Sequence, residues 1–365
     1  MNIPVRETKA AQRLAIVDCD IHPAPKSLKD VYQFLPEHWR EHMQTFGEHI
    51  RHGLTGQLPF PRMAASGMRL DSFPEDGPPG SDLGLMRTQH LDPNGVEHGM
   101  LVALSKGGME ERNLDLAAAL SIAVNDWQLE YWVKPEPRLH AAIVVPQEHP
   151  EAAVTEIERR ASDPSFVQVS FSPRTSDPLG HRRYWPIYAA AERANKPVAL
   201  HVAGFSGGHP STGSGWPTYY MQEHYAMTTN MQNNVVSMVF EGIFERFPKL
   251  KIVMIEGGFA WVPAMSWRMD KTWERMRKEV PQVKRPPSEY VREHFWFTTQ
   301  PIEEPENPEH LADIMNWVGW DRLMFSTDYP HWDFDHPAQT FKFKLSDAQR
   351  AMVFRDNAKT VYRLP

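Results

Sequence analysis

A single cysteine, Cys19, in 365 residues excludes an intrachain disulfide and a thiolate zinc cluster. Any metal in this chain must therefore be held by His, Asp or Glu. No apolar run reaches membrane-spanning length, so no membrane partner is expected. Residues 1–13 are polar and mixed in charge, without the apolar core of a signal peptide, and a cytoplasmic location is expected. Net charge is −7 and there is no basic stripe, which argues against a nucleic-acid groove. Also missing is a Gly-x-Gly-x-x-Gly at a strand-to-helix turn, the fingerprint of a dinucleotide fold.

What is present begins with residues 17–23. An apolar run from Leu14 to Val17 leads into Asp18, Cys19, Asp20, Ile21 and His22, then Pro23. In a strand, positions two apart share a side. Regular alternation therefore predicts that Asp20 and His22 point together at a strand's C-terminal end, with Asp18 behind them as structural support and Cys19 facing away. A carboxylate beside an imidazole suits a divalent cation, but two ligands do not make a site.

Further along, apolar runs read as strands at His98–Leu104, His140–Pro146, Phe166–Phe171, Pro197–His201, Leu250–Glu256, His294–Thr299 and Arg322–Thr327. Between them lie helical patterns at Leu83–Leu91, Asn113–Val133, Pro150–Ala161, Tyr184–Asn195, Tyr219–Phe247, Trp261–Lys278 and His310–Val318, and Ser346–Val361 closes the chain. Strands this continuously apolar are buried on both faces, as in a parallel sheet covered by helices. Eight such units predict an α/β fold, a (β/α)8 TIM barrel. We read residues 1–365 as one domain, with residues 23–82 as an irregular insertion or lid after the first strand. Pro36–Trp39 begins a short helix there, and Gly53–Pro79 reads as a long loop whose Arg51, Arg62 and Arg69 neighbourhood could meet an anionic substrate. A second loop, Gly204–Gly215, carries His209.

In a barrel the chemistry lies at the C-terminal ends of the strands. Asp20 and His22, His201, Glu256 and Asp328 each tip an apolar strand. Burying carboxylates without partners is costly, and a shared cation offsets that cost. His224, on the helix after the fifth strand, can reach over the same mouth. His331 can orient Asp328 from behind, and Trp261, Trp296 and Trp332 are candidates to line an aromatic pocket.

Asp20-x-His22, His201 and the motif Ser326-Thr327-Asp328-Tyr329-Pro330-His331 resemble the amidohydrolase superfamily. More narrowly, they are similar to the branch holding aminocarboxymuconate-semialdehyde, γ-resorcylate and 5-carboxyvanillate decarboxylases. Asn125-Asp126-Trp127, the segment from Gly242 to Leu250 and Asp356-Asn357-Ala358 add to the likeness. The resemblance implies a distorted TIM barrel, a homodimer or higher homo-oligomer, and one divalent ion, Zn²⁺ first and Mn²⁺ second. It makes Asp20, His22, His201 and Asp328 the metal ligands, with Asp328 doubling as the proton-transferring group. Glu256 departs from the branch, whose members usually carry a His in a His-x-Gly pattern at that strand end. Glu256 is left as a base, an acid, a fifth ligand or a structural acceptor for loop amides.

The expected activity is metal-dependent, non-oxidative decarboxylation of a small aromatic or unsaturated carboxylic acid. The same ligands would serve a metal-dependent hydrolase of an amide, an ester or lactone, or an activated C–C bond. A non-catalytic metal-stabilised scaffold is the third alternative. Asp328, Glu256 and His224 are the residues expected to act on the substrate.

Overall fold

The computed structural model describes residues 15–46, 67–104, 108–109, 111–202 and 215–365. Eight parallel strands follow one another around a barrel in chain order. They are β1 Ile16–Ile21, β2 Val96–Leu101, β3 Leu139–Val144, β4 Phe166–Phe171, β5 Val198–His201, β6 Ile252–Ile255, β7 Phe295–Thr298 and β8 Leu323–Met324. The expected TIM barrel is thus the observed one. Its distortion lies at the seam, where β8 pairs with β7 alone and β1 meets the chain beyond β8. There the amides of Cys19 and His22 donate to the carbonyls of Phe325 and Tyr329, and the Asp328 amide donates to the Asp20 carbonyl.

Two apolar layers follow from strand alternation. Val17, Cys19, Met100, Val102, Ala199, Val253, Ile255 and Met324, from β1, β2 and the residue after it, β5, β6 and β8, meet in the barrel interior. Residues of opposite phase, such as Ile16, Leu101, Val169 and Phe297, pack outward beneath the helices.

β1 does not keep its alternation. Its register against β2 slips between Asp18 and Ile21, where three steps along β1 match two along β2. That bulge corrects the expected phase. Asp18 falls on the outer side, away from Asp20 and His22, and Cys19 joins the interior below the mouth. Asp18 does serve as structural support. Its carboxylate accepts from the Thr327 amide (3.0 Å) and hydroxyl (2.6 Å), the Asp20 amide (3.2 Å) and His90 Nε2 (2.7 Å). It therefore stitches β1 to the segment after β8. Asp18→Ala would leave several buried donors without an acceptor. We expect a loss of about 3 kcal/mol of stability, read as a lower denaturant midpoint at unchanged m-value.

The helices follow their sequence patterns with local breaks. The helix after β2 begins at an Asn113 cap and runs Leu114–Gln128 before a π turn at Leu129–Val133. The pattern from Tyr219 to Phe247 is two helices, Tyr220–Phe240 and Ile243–Arg246, because Gly242 takes φ +79° between them. A helix at Pro287–His294 was not expected from the sequence. In the region after β1 the described part holds helices Lys29–Tyr32 and Glu37–Phe46. Gly67 to Arg69 lies along Pro330 to Trp332 at the barrel mouth. Arg51, Arg62 and His209 lie outside the described residues, as do residues 53–66 and 204–214 of the two loops. Among the described residues no helix is long and apolar enough to cross a membrane.

Candidate metal centre

Asp20, His22, His201 and Glu256 bring one ligand atom each to within 4.8 Å of one another. Asp20 Oδ1 lies 3.3 Å and Asp20 Oδ2 3.7 Å from the Nε2 atoms of His22 and His201 respectively. His201 Nε2 is 2.9 Å from Glu256 Oε2. Asp328 enters through His22, whose Nε2 stands 2.7 Å from Asp328 Oδ1. Glu256 thereby stands in the cluster with three of the residues assigned as ligands, whereas the fourth, Asp328, groups with His22 and His331.

The His22 tautomer decides what this cluster is for. Its Nδ1 is 2.8 Å from the Val102 carbonyl, an acceptor, so Nδ1 carries the proton and donates. Nε2 is then a lone pair facing two carboxylates. Burial, with His331 nearby, pushes the His22 pKa down to about 4, and burial pushes His201 to about 3. Both are neutral imidazoles at neutral pH. Asp20 is fully buried and neither of its oxygens accepts a hydrogen bond. Acceptors packed against acceptors are unfavourable until protons or a cation sit among them. The residues present fit a divalent ion.

Backbone strain holds two of the carboxylates. Glu256 has φ +58° and Asp328 φ +64°, both in the left-handed region where a side chain costs about 1–2 kcal/mol. The Glu256 amide donates to Thr298 Oγ1 (3.1 Å). Beyond it, Glu303 Oε1 accepts from the amides of Phe259 (2.9 Å) and Ala260 (2.8 Å) and fixes the Gly257–Gly258 turn. Asp328 is pinned by its amide on Asp20 and by the His331 amide on its own carbonyl (2.7 Å).

Behind the cluster lies a second tier. His331 Nδ1 is 2.5 Å from Asp328 Oδ1. Burial would lower the His331 pKa, but the Asp328 charge and hydrogen bond outweigh it and raise it to about 9. Conversely, burial would raise Asp328, yet the His331 charge and hydrogen bond hold its carboxyl below the usual carboxylate range. The proton of this pair thus rests on His331. Gln300 Nε2 donates to Asp328 Oδ2 (3.2 Å) and Asp333 Oδ2 (3.1 Å), and Asp333 Oδ2 meets His224 Nε2 at 3.0 Å. His224 does reach the mouth. Asp333 and Gln300 were missed from the sequence, since a lone polar residue in a loop carries no spacing signal.

Of the three tryptophans only Trp332 lies at the rim, where its Nε1 donates to the Tyr220 hydroxyl (3.0 Å) and its ring contacts His224. Trp296 faces the barrel interior at the opposite end, under Arg322 and bonded to the Asp321 carbonyl. Trp261 braces the turn after Glu256 by donating to the Gly257 carbonyl (2.9 Å). Arg69 is occupied with Asp71 and stacks on Phe334.

Burial, and then the Asp328 charge, raise the pKa values of Asp20 and Glu256 in the metal-free protein. These carboxyls therefore hold protons above their ordinary range, and a cation displaces them. We expect Mn²⁺ binding near pH 6 to release protons, with fewer released as pH rises and tighter apparent binding at higher pH. Titration calorimetry in buffers of different ionisation enthalpy measures this. Folding of the metal-free chain runs the other way. A raised carboxyl pKa gives stability that is present below the unfolded value near 4 and lost as pH climbs through the raised one.

An amidohydrolase family model matches residues 17–364, nearly the whole chain. Among curated proteins, the γ-resorcylate decarboxylase of Rhodococcus jostii is 28% identical, covering 78% of this chain and 88% of its own. That of a Polaromonas species is 26% identical, covering 76% and 86%. Among solved structures, a 5-carboxyvanillate decarboxylase from Novosphingobium aromaticivorans, complexed with manganese and 4-hydroxy-3-methoxy-5-nitrobenzoic acid, superposes with a TM-score of 0.71. It is 19% identical and covers 98% of each chain, a likeness of fold. In this barrel the ends of the first, fifth and sixth strands and the segment beyond the eighth bring His and carboxylate side chains to one mouth. The match over residues 17–364 includes every strand of that barrel, and the chain belongs to the amidohydrolase family.

Proposed function

We propose that this protein is a metal-dependent decarboxylase of a small aromatic carboxylic acid. One observation carries the reading: the His22 Nε2 lone pair faces Asp328 and Asp20, with His201 and Glu256 closing the group. The names of the curated relatives supply the reaction type. Asp20, His22, His201 and Asp328 would hold one divalent cation, with Glu256 beside it. Zn²⁺ suits the two imidazoles and Mn²⁺ the carboxylates. Bound there, the cation supplies a Lewis acid for the substrate's carboxylate and a neighbouring oxygen.

The chain's own groups then handle the proton. His331 holds one at Nδ1 against Asp328 Oδ1, so Asp328 can take that proton and pass it to the ring carbon bearing the carboxylate. The carbon–carboxylate bond breaks, its electron pair returns to the ring, and CO₂ leaves. Tyr220, His224 and Trp332 surround the entrance with ring faces that suit an aromatic acid. His224 meets the substrate from this rim. Trp216, Tyr219, Met221 and Tyr225 are exposed beside it, which supports a homodimer or larger assembly. A cytoplasmic location completes the reading.

The test is metal-loaded protein given 2,6-dihydroxybenzoate, 5-carboxyvanillate, and a panel of amides and lactones. CO₂ and the decarboxylated phenol should appear in equal amounts. Hydrolysis of an amide or lactone without CO₂ would replace this reading with the hydrolase. Metal bound with no turnover on any of them would leave a scaffold.

A further inference from the structure

His90 is a fully buried histidine that neither the metal centre nor the proton path uses. It sits in a π turn, Arg87–Leu91, just ahead of β2. Its Nε2 stands 2.7 Å from the Asp18 carboxylate, an acceptor, so Nε2 carries a proton and donates. On the other side the Asn94 amide donates to Nδ1 (3.1 Å). The ring stacks on Tyr329, with centroids 5.0 Å apart and planes 9° from parallel, and Phe334 closes its edge. The imidazole is thereby fixed in place, tilt and tautomer.

What His90 holds is the chain on both sides of Asp328. Thr327 directly precedes Asp328 and Tyr329 directly follows it. Asp18, which accepts from His90, also accepts from the Thr327 amide and hydroxyl and from the Asp20 amide. Tyr329 is gripped by the ring stack and by its hydroxyl, which donates to Gln89 Oε1 (2.9 Å) in the same π turn. Its carbonyl accepts from the His22 amide (2.8 Å). Asp328, between these two anchors, has φ +64°, a conformation that a side chain leaves once its neighbours are free to turn. We infer that His90 is a positioning residue: by fixing Asp18, and through it Thr327, it aims the Asp328 carboxylate into the cluster. His90 does not touch that carboxylate, whose own partners are His22, His331 and Gln300. The inference rests on the reading of Asp328 as a cation ligand that also moves the proton. Partners of this kind, standing behind the ligands, are what orient a metal site.

Two amide variants separate this role from plain packing. His90→Gln keeps a donor near the Nε2 position, whereas His90→Asn keeps one near Nδ1 and falls short of Asp18. Ile157→Ala, in the outer helix Pro150–Arg160, is a control that loses buried packing only. Each protein is stripped of metal, and its Mn²⁺ dissociation constant is measured from the EPR signal of the free ion, well below the unfolding range. Tm is recorded beside it, with kcat and KM on whichever aromatic acid the wild type turns over. His90→Asn should bind Mn²⁺ about tenfold more weakly and lose about tenfold in kcat at little-changed KM. His90→Gln should recover most of both losses, and Ile157→Ala should lower Tm alone. A His90→Asn protein with a lower Tm and the wild-type dissociation constant would make His90 a packing residue and overturn the inference. So would a His90→Gln protein as weak as His90→Asn, because the Nε2 donor would then not be the link. If His90→Asn does not fold, Thr327→Val cuts the same path one step further on. Weaker Mn²⁺ binding there supports the inference, and unchanged binding overturns it. Wild type that binds no Mn²⁺ would overturn the metal centre and the inference with it. The expected Mn²⁺ constants without turnover of any acid would uphold the inference and strike the decarboxylase alone.

Discussion

Asp328→Asn should lower kcat by about 10³-fold, the scale of a lost general acid–base group, while the folded protein still binds metal. Asp328 is fully buried, and each contact it makes would change. The isosteric amide keeps a carbonyl oxygen for the position 2.7 Å from His22 Nε2, so metal content should fall modestly. The negative charge that holds the His331 proton is lost, and the His331 pKa drops from about 9 as burial takes over. The pair can then neither store the proton nor pass it on. Substrate affinity, set by the cation and the rim, should change far less than kcat. A variant that keeps its metal and half its turnover would remove Asp328 from the proton path. A Gln300→Leu variant is informative beside it, because Gln300 touches Asp328 without charge and should cost much less.

The strand tips that led to this centre were legible for a physical reason. An apolar run ending in one His or carboxylate marks a change from packing to chemistry: β5 ends in His201, Glu256 directly follows β6, and Asp328 closes the stretch that begins with β8. β4, predicted at Phe166–Phe171, occupies those residues. The side of the sheet on which Asp18 lies was not legible. All six residues of β1 are buried, so its hydrophobicity carries no phase, and a bulge is invisible in a strand without a solvent face. The predicted last strand, Arg322–Thr327, is paired only over Leu323–Met324. Beyond that point Phe325 bonds to Val353 and Thr327 to Asp18, contacts set by the distant helix and by β1. Asp333 and Gln300 acquire their meaning in the same way. Each sits in a loop, and only closure of the barrel carries it to Asp328 or His224.

His201→Ala should abolish turnover and, more tellingly, remove the effect of metal on stability. In the wild-type protein a cation at 100 to 1,000 times its dissociation constant should add about 3–4 kcal/mol to the folded state. Stripping with a chelator should therefore lower Tm by several degrees. His201 stands between Asp20 (3.7 Å) and Glu256 (2.9 Å), the two carboxyls whose pKa values are raised by burial and by neighbouring charge. Without the imidazole a cation held as proposed would lose a nitrogen ligand and the contact that joins β5 to β1 and β6 at the mouth. The metal-free His201→Ala protein need not be less stable than metal-free wild type. Its Asp20 and Glu256 carboxyls can stay protonated, and the residue removed is one whose own protonated form burial disfavours. The two proteins should thus unfold at similar temperatures with chelator present and diverge when Mn²⁺ or Zn²⁺ is added, the wild type alone rising. If His201→Ala gains as much as wild type from added metal, the cation does not bind between β1 and β5.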